Sequence, residues 1–170
     1  MSTDPIGYRY TDDELATLRL ILSLETPVGC AQRVIDEAAY RKSVDSLAAS
    51  KILTPAGESA YIDKLTAMLL TEISAADACL RIISQNHVSL LFRCQRLFIT
   101  EDISRGMHTL TPFKTMPEAA AALIDSISRH VVPAEAALVS ASGEDEHSFE
   151  VDDSDTLLRS VNELLTSLSL

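Results

Sequence analysis

The hydrophobic positions near the start of the chain repeat with a helical period. Thr11 and three acidic residues precede an apolar stripe at positions i, i+3, i+6 and i+7: Leu15, Leu18, Ile21 and Leu22. A hydroxyl cap followed by acidic residues is typical of a helix N-terminus, and the apolar spacing is that of one helix face. The pattern predicts a capped amphipathic helix that ends at the turn formed by Pro27 and Gly29.

Helical periodicity continues through the next part of the chain. A short helix is expected through Val34, and a second helix from Glu37 to Ser50, where the sequence TPAG soon ends the pattern. A longer helix is predicted over 58–73, because its apolar residues form one stripe: Tyr61, Leu65, Met68 and Leu69. A short helical unit followed by a break predicts a winged-helix-like arrangement of these N-terminal helices.

The hydrophobic period changes from 3.6 to 2 near Ala76, which predicts strands. We expect three antiparallel strands in a meander over 77–113, with turns at Gln85–Asn86 and within 100–106. The middle strand alternates polar residues with apolar ones, as a half-buried strand does: Val88, Leu90, Phe92 and Cys94. The apolar run over 97–99 breaks this alternation, so it requires a bulge or a second covering surface.

The last part of the chain predicts one helix on the sheet and another at the C-terminus. The first, over 115–131, has Thr115 as its cap and Pro117 in its first turn. Residues 136–140 predict a short edge strand, and 142–148 a mobile loop. The final helix carries a wide apolar stripe: Leu157, Leu158, Val161, Leu164, Leu165 and Leu168. These elements predict an α+β fold with an antiparallel β-meander and a packed helix.

Charge divides the chain into three parts. Net charge is −11, but residues 134–155 hold eight acidic residues and no lysine or arginine. Because Arg159 and Glu163 cancel, residues 1–133 carry only −3. We therefore predict an α+β body over 1–133, an acidic linker or edge segment over 134–155, and an amphipathic helix over 156–170. A nearly neutral body leaves room for a local basic patch, so total charge does not decide whether the chain binds nucleic acid.

The composition of the chain limits the classes of protein to which it can belong. The 170 residues are 46% hydrophobic, which is enough for a folded domain with a real core. No apolar run reaches the roughly 18 residues of a membrane span. The first residues, MSTDPIGYRYTDDE, lack the basic start and apolar centre of a signal peptide. We expect a cytoplasmic location, with Cys30, Cys79 and Cys94 as small buried hydrophobic residues.

Two hypotheses compete for the segment 36–50. As a DNA-recognition helix it would place Arg41 and Lys42 on phosphates. Its outer face, however, carries acidic and basic residues in nearly equal number, whereas phosphate contacts supply most of the affinity for DNA. We expect the winged-helix-like shape to be structural and expect no binding of nucleic acid.

No motif in the sequence indicates an enzyme. The four histidines are scattered without metal-ligand spacing, and each is expected at the surface or in a turn. There is no GxSxG motif, and five glycines are too few for a nucleotide cradle. Glu101 and Asp102 fall in the predicted turn over 100–106, where paired carboxylates are usually solvated. We therefore expect no enzymatic activity, no metal and no cofactor.

Apolar surface remains as the candidate functional feature. One sheet face cannot bury three consecutive apolar residues, here Leu97, Phe98 and Ile99. The last helix is also apolar over a wide arc. These two regions either pack on each other or form an interface with a second subunit or a protein client. The second possibility predicts a homodimer, since pairing would bury side chains worth roughly 1.5 to 3 kcal/mol each.

The order of elements over residues 11–130 resembles one half of the EspG-like chaperones of type VII (ESX) secretion. The likeness is carried by these segments: LAASKILTPAG, ACLRIIS, VSLLFRCQRLFITED, MHTLTPF and MPEAAAALID. Chaperones of that family have two related halves, so the resemblance implies that two copies of this chain pair. It also implies that a client tip is held around 98–107 and by the last helix.

The resemblance implies a non-enzymatic cytoplasmic chaperone or adaptor whose partners are a secreted helical protein client and a second copy of the chain, with no membrane partner. The partner-binding residues expected on this basis are Leu97, Phe98, Ile99, Ile103, Met107, Leu158, Val161 and Leu165. The alternative function is a winged-helix-type transcriptional regulator, which salt-sensitive retention on DNA would favour.

Overall fold

Helices cover both faces of one antiparallel sheet in this chain. The structure is a computed structural model that describes residues 7–141 and 147–170. Its helices are α1 (Asp12–Ile21), α2 (Glu37–Ala49), α3 (Lys64–Ser74), α4 (Met116–Ser126, followed by a 3₁₀ turn over Ile127–Arg129) and α5 (Ser154–Leu168). Its strands are β1 (Tyr8–Thr11), β2 (Leu53–Ala56), β3 (Ser59–Ile62), β4 (Ala78–Ser84), β5 (Val88–Arg93), β6 (Phe98–Ser104), β7 (Met107–Phe113), β8 (Ala134–Ser140) and β9 (His147–Val151).

The main sheet has seven strands in the order β1-β7-β6-β5-β4-β8-β9, and all neighbours are antiparallel. The predicted α+β class and the meander over 77–113 are confirmed. The meander contains four strands rather than the three predicted, because the only turn between Phe98 and Phe113 is the pair Arg105–Gly106. Both residues have positive φ, 54° and 72°, which matches the tight two-residue turn that suits the twist of a hairpin.

The N-terminal unit contains a wing but fewer helical residues than predicted. Helix α1 begins with a capping box between Thr11 and Glu14, as its sequence predicts. Strands β2 and β3 form a separate hairpin after α2. Residues 22–36 contain no helix, and Tyr61 lies in β3 rather than in a helix, so both of those predictions are wrong. Helix α3 begins only at Lys64, where Asp63 accepts a hydrogen bond from the Thr66 backbone N–H.

The acidic segment contributes two strands to the main sheet. Strand β8 was predicted at the edge but lies between β4 and β9, so β9 is the edge strand. The predicted mobile loop falls largely on 142–146, which lie outside the described residues. Asp153 caps α5 by accepting from the backbone N–H of Thr156. The division of the chain at residues 133 and 155 stays a prediction.

Each face of the sheet has its own hydrophobic core. We call the side under α4 and α5 the α4–α5 face, and its core includes Leu80, Leu91, Leu123 and Val161. The other side, the α1–α3 face, packs side chains such as Phe92, Ile99 and Leu110 against Leu18 of α1, Leu47 of α2 and Leu69 of α3. The central positions of β5 are therefore buried on both faces. The prediction that this strand is half-buried is wrong, because the second covering surface indicated by 97–99 is present.

Helix α5 packs within its own chain. Five residues of its predicted stripe are buried in the α4–α5 core: Leu157, Val161, Leu164, Leu165 and Leu168. Leu158 stays 40% exposed. The apolar surface on which the expected dimer depended is therefore already covered. In the described ranges 7–141 and 147–170, no helix combines the length and the apolar character needed to cross a bilayer.

Candidate binding groove on the α1–α3 face

An irregular segment leaves part of the α1–α3 face incompletely covered. Residues 22–36 run beside α1 without forming a helix or strand. Two adjoining cavities of about 230 and 270 Å³ lie along this boundary, which we call the inner cavity and the outer groove. They share four lining residues: Ala16, Arg19, Ala31 and Arg33. The two cavities therefore adjoin along these four residues.

The outer groove has apolar side chains exposed to solvent. Leu20 on α1 is 63% exposed and Val34 on the irregular segment is 87% exposed, and both line this groove. Arg19 and Arg33 add positive charge, although Arg33 also donates to Asp13 at 2.7 and 2.9 Å. An apolar depression with basic residues beside it is the kind of surface that binds a segment of another protein.

The inner cavity has apolar walls and a buried polar group. Its larger apolar lining residues come from α1 and from three sheet strands: Leu15, Ile83, Val88, Leu90 and Ile103. The strand register places Arg81, Leu90 and Glu101 directly opposite one another on β4, β5 and β6. Since residues that face each other across strands point to the same side, one basic and one acidic side chain share this apolar face.

A carboxylate–imidazole–carboxylate array lies at the edge of the inner cavity. His108 Nδ1 is 2.5 Å from Glu101 Oε1, and His108 Nε2 is 2.6 Å from Asp12 Oδ1. The pairing of β1 with β7 places Tyr10 opposite His108, and α1 begins two residues later with Asp12. The backbone N–H of Asp12 also donates to the carbonyl of Gly106 in the β6–β7 turn. The array is thus held by the junction of β1, α1 and β7.

The array favours a protonated histidine. Burial by itself lowers the pKa of His108, but its hydrogen bonds to Glu101 and Asp12 and the charges of both carboxylates raise that pKa above its ordinary value. A protonated imidazole donates from both ring nitrogens, which matches the two carboxylate partners. Burial also raises the pKa of the nearby Cys30 thiol to about 12, so Cys30 is a neutral thiol rather than a nucleophile.

Two residues that line the inner cavity each have one buried polar atom without a hydrogen-bond partner among the described residues: Glu101 Oε2 and Arg81 Nε. The Glu101 side chain is 1% exposed. Arg81 is engaged elsewhere through its terminal nitrogens, with the Gly29 carbonyl at 3.4 Å and Glu135 Oε1 at 3.3 Å. Buried polar groups in folded proteins are nearly always satisfied, so both atoms require an explanation.

A second polar cluster lies on the opposite face and is fully hydrogen-bonded. Ser89 donates to Asp102 Oδ1 at 2.8 Å, and its oxygen is 3.0 Å from His130 Nε2. Ser84 contacts the other ring nitrogen of His130 at 2.9 Å, and His87 Nε2 is 3.0 Å from Asp102. Burial and the nearby His87 lower the pKa of His130 to about 4, so its imidazole is neutral at pH 7.

The residues predicted to bind a partner are distributed over several environments. Ile99, Val161 and Leu165 are buried in the two cores. Leu97 and Phe98 are half-buried against opposite cores, Leu97 on the α1–α3 side and Phe98 on the α4–α5 side. Ile103 lines the inner cavity, while Met107 and Leu158 are about 40% exposed, at 42% and 40%. The structure therefore brings only Ile103 to the inner cavity and none of the eight residues to the outer groove, and it does not gather them into one surface.

The sequence-based placement of the polar site residues is wrong in part. Glu101 and Asp102 lie in β6 rather than in a turn, and Glu101 is buried. His108 is buried within β7, whereas His87 and His130 lie in connections between elements, as predicted, but are buried and hydrogen-bonded. Among the four histidines, His147 is the exposed one. The alternation of Ile99, Glu101 and Ile103 is the signal that could have placed Glu101 on an apolar face.

The described part of the chain contains no group of three or more histidine, cysteine, aspartate or glutamate side chains arranged to hold a metal ion. The three cysteines are free, with Cys79 buried and Cys30 and Cys94 half-buried. The prediction of buried cysteines is thus confirmed for Cys79, whereas Cys30 and Cys94 pack against the α1–α3 core but are only half-buried. On the α1–α3 face, the described residues thus include a neutral Cys30 thiol and no grouped metal ligands.

No protein-family model matches the sequence, and no curated protein matches it. The fold is similar to that of a chaperone of known structure, EspG5 of the Mycobacterium tuberculosis type VII secretion system, which was solved in complex with a PE25–PPE41 dimer. The TM-score is 0.55 at 10% sequence identity, over 73% of this chain and 52% of that chain. The chain thus has an EspG-like fold and spans about half the length of EspG5.

Proposed function

We propose that this protein is a cytoplasmic chaperone or adaptor without enzymatic activity, associated with type VII secretion, that binds an apolar segment of a helical protein client. The observation that carries the proposal is the outer groove, where Leu20 and Val34 are exposed at 63% and 87% on an EspG-like fold. Side chains of this size are seldom left exposed together on one depression unless another molecule covers them.

The groove fits an apolar helix tip better than an extended strand. Its walls are side chains of α1 and of 24–35, with no unpaired strand edge among the residues that line it. A helix that enters such a depression contributes apolar residues at spacings of three and four. Arg19, which lines both cavities, would lie near the last carbonyls or an acidic residue of the incoming helix.

Pairing of two chains is a second part of the proposal. It is supported by the length relation, since the chain spans 52% of a chaperone with a similar fold. Met107 and Leu158 are the exposed members of the predicted partner surface, and they are the candidates for a contact between copies. Light scattering at tens of micromolar tests this. A mass near 37 kDa, roughly twice the 18.5 kDa chain, is expected, and a strictly monomeric mass would contradict pairing.

The alternative function, a winged-helix regulator, has less support. Arg41 on α2, which would contact a phosphate, forms an ion pair with Glu37 one turn away. The cationic side chain is thus already neutralised on the face that would meet DNA.

Binding of a small helical protein encoded beside this chain tests the client proposal. The two proteins are purified separately, and the dissociation constant is measured by calorimetry for the unaltered chain and for Leu20→Asp and Val34→Asp. Both substitutions place a charge on the groove, so we expect each to weaken binding at least about tenfold. Val131→Asp is the matched control, since Val131 is 55% exposed and lies outside both the groove lining and the predicted partner surface.

Unchanged affinity in both groove variants would contradict the proposed site. Loss of binding in Leu158→Asp or Met107→Asp, with the groove variants unaffected, would instead favour the surface predicted from the sequence. All variants carry substitutions at exposed positions, so circular dichroism is expected to show an unchanged fold.

A further inference from the structure

We propose that the inner cavity binds a compact phenol-like group, meaning an aromatic ring that carries one neutral hydroxyl. The proposal is carried by the size and apolar walls of the cavity and by the two unpartnered polar atoms, Glu101 Oε2 and Arg81 Nε. It concerns a site next to the outer groove and does not depend on the client, because a free small molecule can enter the cavity without one.

Glu101 sets the requirement for a hydrogen-bond donor. Its Oε1 is engaged by His108 at 2.5 Å, whereas its Oε2 has no partner in the described parts of the chain. A buried carboxylate oxygen without a donor is unfavourable, and an N–H or O–H group on a ligand would supply the missing hydrogen bond.

Arg81 adds a requirement for an acceptor. Its two terminal nitrogens donate to the Gly29 carbonyl and to Glu135, and Nε is left without a partner in the described residues. A hydroxyl can satisfy either atom, since it donates one hydrogen bond and accepts others.

The charges around the cavity select a neutral group. Three arginines, Arg19, Arg33 and Arg81, line the cavity against two carboxylates, Asp12 and Glu101, so the net positive charge of the lining disfavours an ammonium or amidinium ion. A carboxylate brought against the free oxygen of Glu101 would meet a second negative charge and could not donate a hydrogen bond to it. A neutral hydroxyl avoids both penalties.

The size of the cavity suits one ring. Its volume is about 230 Å³, whereas an apolar protein cavity of about 150 Å³ is known to accept benzene. Leu90 lies in register between Arg81 and Glu101 and lines the cavity, so an apolar surface separates the two polar groups. A flat ring could cover Leu90 while its hydroxyl reaches the Glu101 carboxylate.

The test compares four ring compounds that differ in one substituent: phenol, toluene, benzoate and benzylamine. Phenol and toluene have the same number of heavy atoms, but toluene has no group that donates a hydrogen bond to Glu101 Oε2. A site built to hydrogen-bond a hydroxyl discriminates strongly against an analogue without it. By calorimetry or ligand-observed NMR, we expect phenol to bind at least about tenfold more tightly than the other three. Equal or tighter binding of toluene or benzoate, or no saturable binding of phenol, would overturn the proposal.

Three variants of the full chain locate the site. Ala16 lies where the inner cavity meets the outer groove, so Ala16→Phe is expected to abolish phenol binding by filling the entrance. Glu101→Gln is expected to bring the affinities for phenol and toluene to within about threefold, because the charged acceptor is lost. Asp102→Asn is the control, since Asp102 neighbours Glu101 in the sequence but is hydrogen-bonded on the opposite face.

Each variant is checked by circular dichroism and thermal unfolding before binding is measured. If Glu101→Gln does not fold, Ala16→Phe alone tests whether phenol binds in the inner cavity, because this substitution leaves the polar array in place. Phenol binding that survives in folded Ala16→Phe at wild-type affinity would overturn the assignment to this cavity.

The hydroxyl-bearing ring can belong to a free molecule or to a tyrosine side chain of a protein. N-acetyltyrosinamide, with N-acetylphenylalaninamide as its control, distinguishes these sources. Tighter binding of the tyrosine derivative supports a protein side chain whose backbone lies in the outer groove. Binding of phenol without the tyrosine derivative supports a free molecule. These results do not depend on any client, so a failed client experiment and a failed cavity experiment remain distinct outcomes.

Discussion

Glu101 and Asp102 are neighbours on β6, and comparing them shows how the two faces of the sheet differ. Asp102 points to the α4–α5 side, where His87, Ser89 and Arg129 all contact its carboxylate. Glu101 points to the α1–α3 side, where His108 engages one oxygen and the other has no partner in the described residues. One carboxylate is completed by its own chain, and the other is left open beside a cavity.

The difference follows from how each face is covered. Regular helices α4 and α5 lie over the first face, and side chains from the 3₁₀ turn reach its polar cluster. The second face is covered partly by the irregular residues 22–36, which leave space between α1 and the sheet. Complete coverage produces a structural cluster, whereas incomplete coverage produces a site that another molecule can fill.

The largest expected effect comes from removing the imidazole that balances Glu101. His108→Ala leaves a buried carboxylate without its partner, which typically costs about 3 to 5 kcal/mol in the free energy of unfolding. Urea unfolding at pH 6 measures the loss, and His147→Ala, at an exposed histidine, is the control. The folded-state pKa of His108 is raised, so its contribution is full below about pH 6.5 and declines as pH rises through that pKa. A loss that grows with rising pH would contradict the assigned charge.

The loss of stability at acidic pH tests the polar cluster around Asp102 and His130 on the α4–α5 face. The pKa of His130 is lowered from 6.5 to about 4, so between these pH values the unfolded chain binds a proton that the folded chain does not. Stability should therefore fall with decreasing pH over this window, by about 3 kcal/mol from this group. His130→Gln should flatten that part of the curve relative to the unaltered chain. An identical pH dependence in both would show that His130 does not stay neutral.

A smaller loss of stability is expected when the Ser89 hydroxyl, which links Asp102 to His130 on the α4–α5 face, is removed. Because Ser89 donates to Asp102, His130 Nε2–H donates to the Ser89 oxygen. Ser89→Ala removes both bonds and leaves buried partners unsatisfied, at a cost of about 1 to 3 kcal/mol. Chemical denaturation measures it, with exposed Ser128→Ala as the comparison. No change in stability would mean that this cluster is not completed by its own hydrogen bonds.

The smallest effect is expected at the rim of the groove. Leu20→Ser changes a side chain that is already 63% exposed, so the free energy of unfolding should change by less than about 0.5 kcal/mol. Leu18→Ser, on the buried side of the same helix, should cost several times more. A large loss of stability for Leu20→Ser would mean that Leu20 packs in the fold and is not free to bind a partner.

The parts of the fold that could be predicted are those set by local patterns. Thr11 and Glu14 form the predicted capping box, and the alternation in β4 to β7 is visible in the sequence. The stripe of α5 also appears without reference to other elements. Each of these features depends on residues close together in the chain.

The candidate site could not be predicted in the same way because it depends on distant residues. Asp12 and His108, which are in contact, are 96 positions apart. The sequence over 100–106 contains residues common in turns, so Glu101 was placed in a loop, although pairing with β5 and β7 keeps it in a strand. Tyr61 and Ile62 fit a helical stripe as well as a hairpin, and the contact with β2 decides between them.

Methyl NMR during a phenol titration tests most directly the claim that the α1–α3 face is the binding face. Methyl groups of isoleucine, leucine and valine are labelled, which provides probes on both sides of the sheet. Saturable shifts are expected for Ile83, Val88 and Ile103, which line the inner cavity. No shifts are expected for Ile82, Leu91 and Val161, which lie in the core of the α4–α5 face. Saturable shifts confined to that second set, or spread equally over both, would contradict that claim.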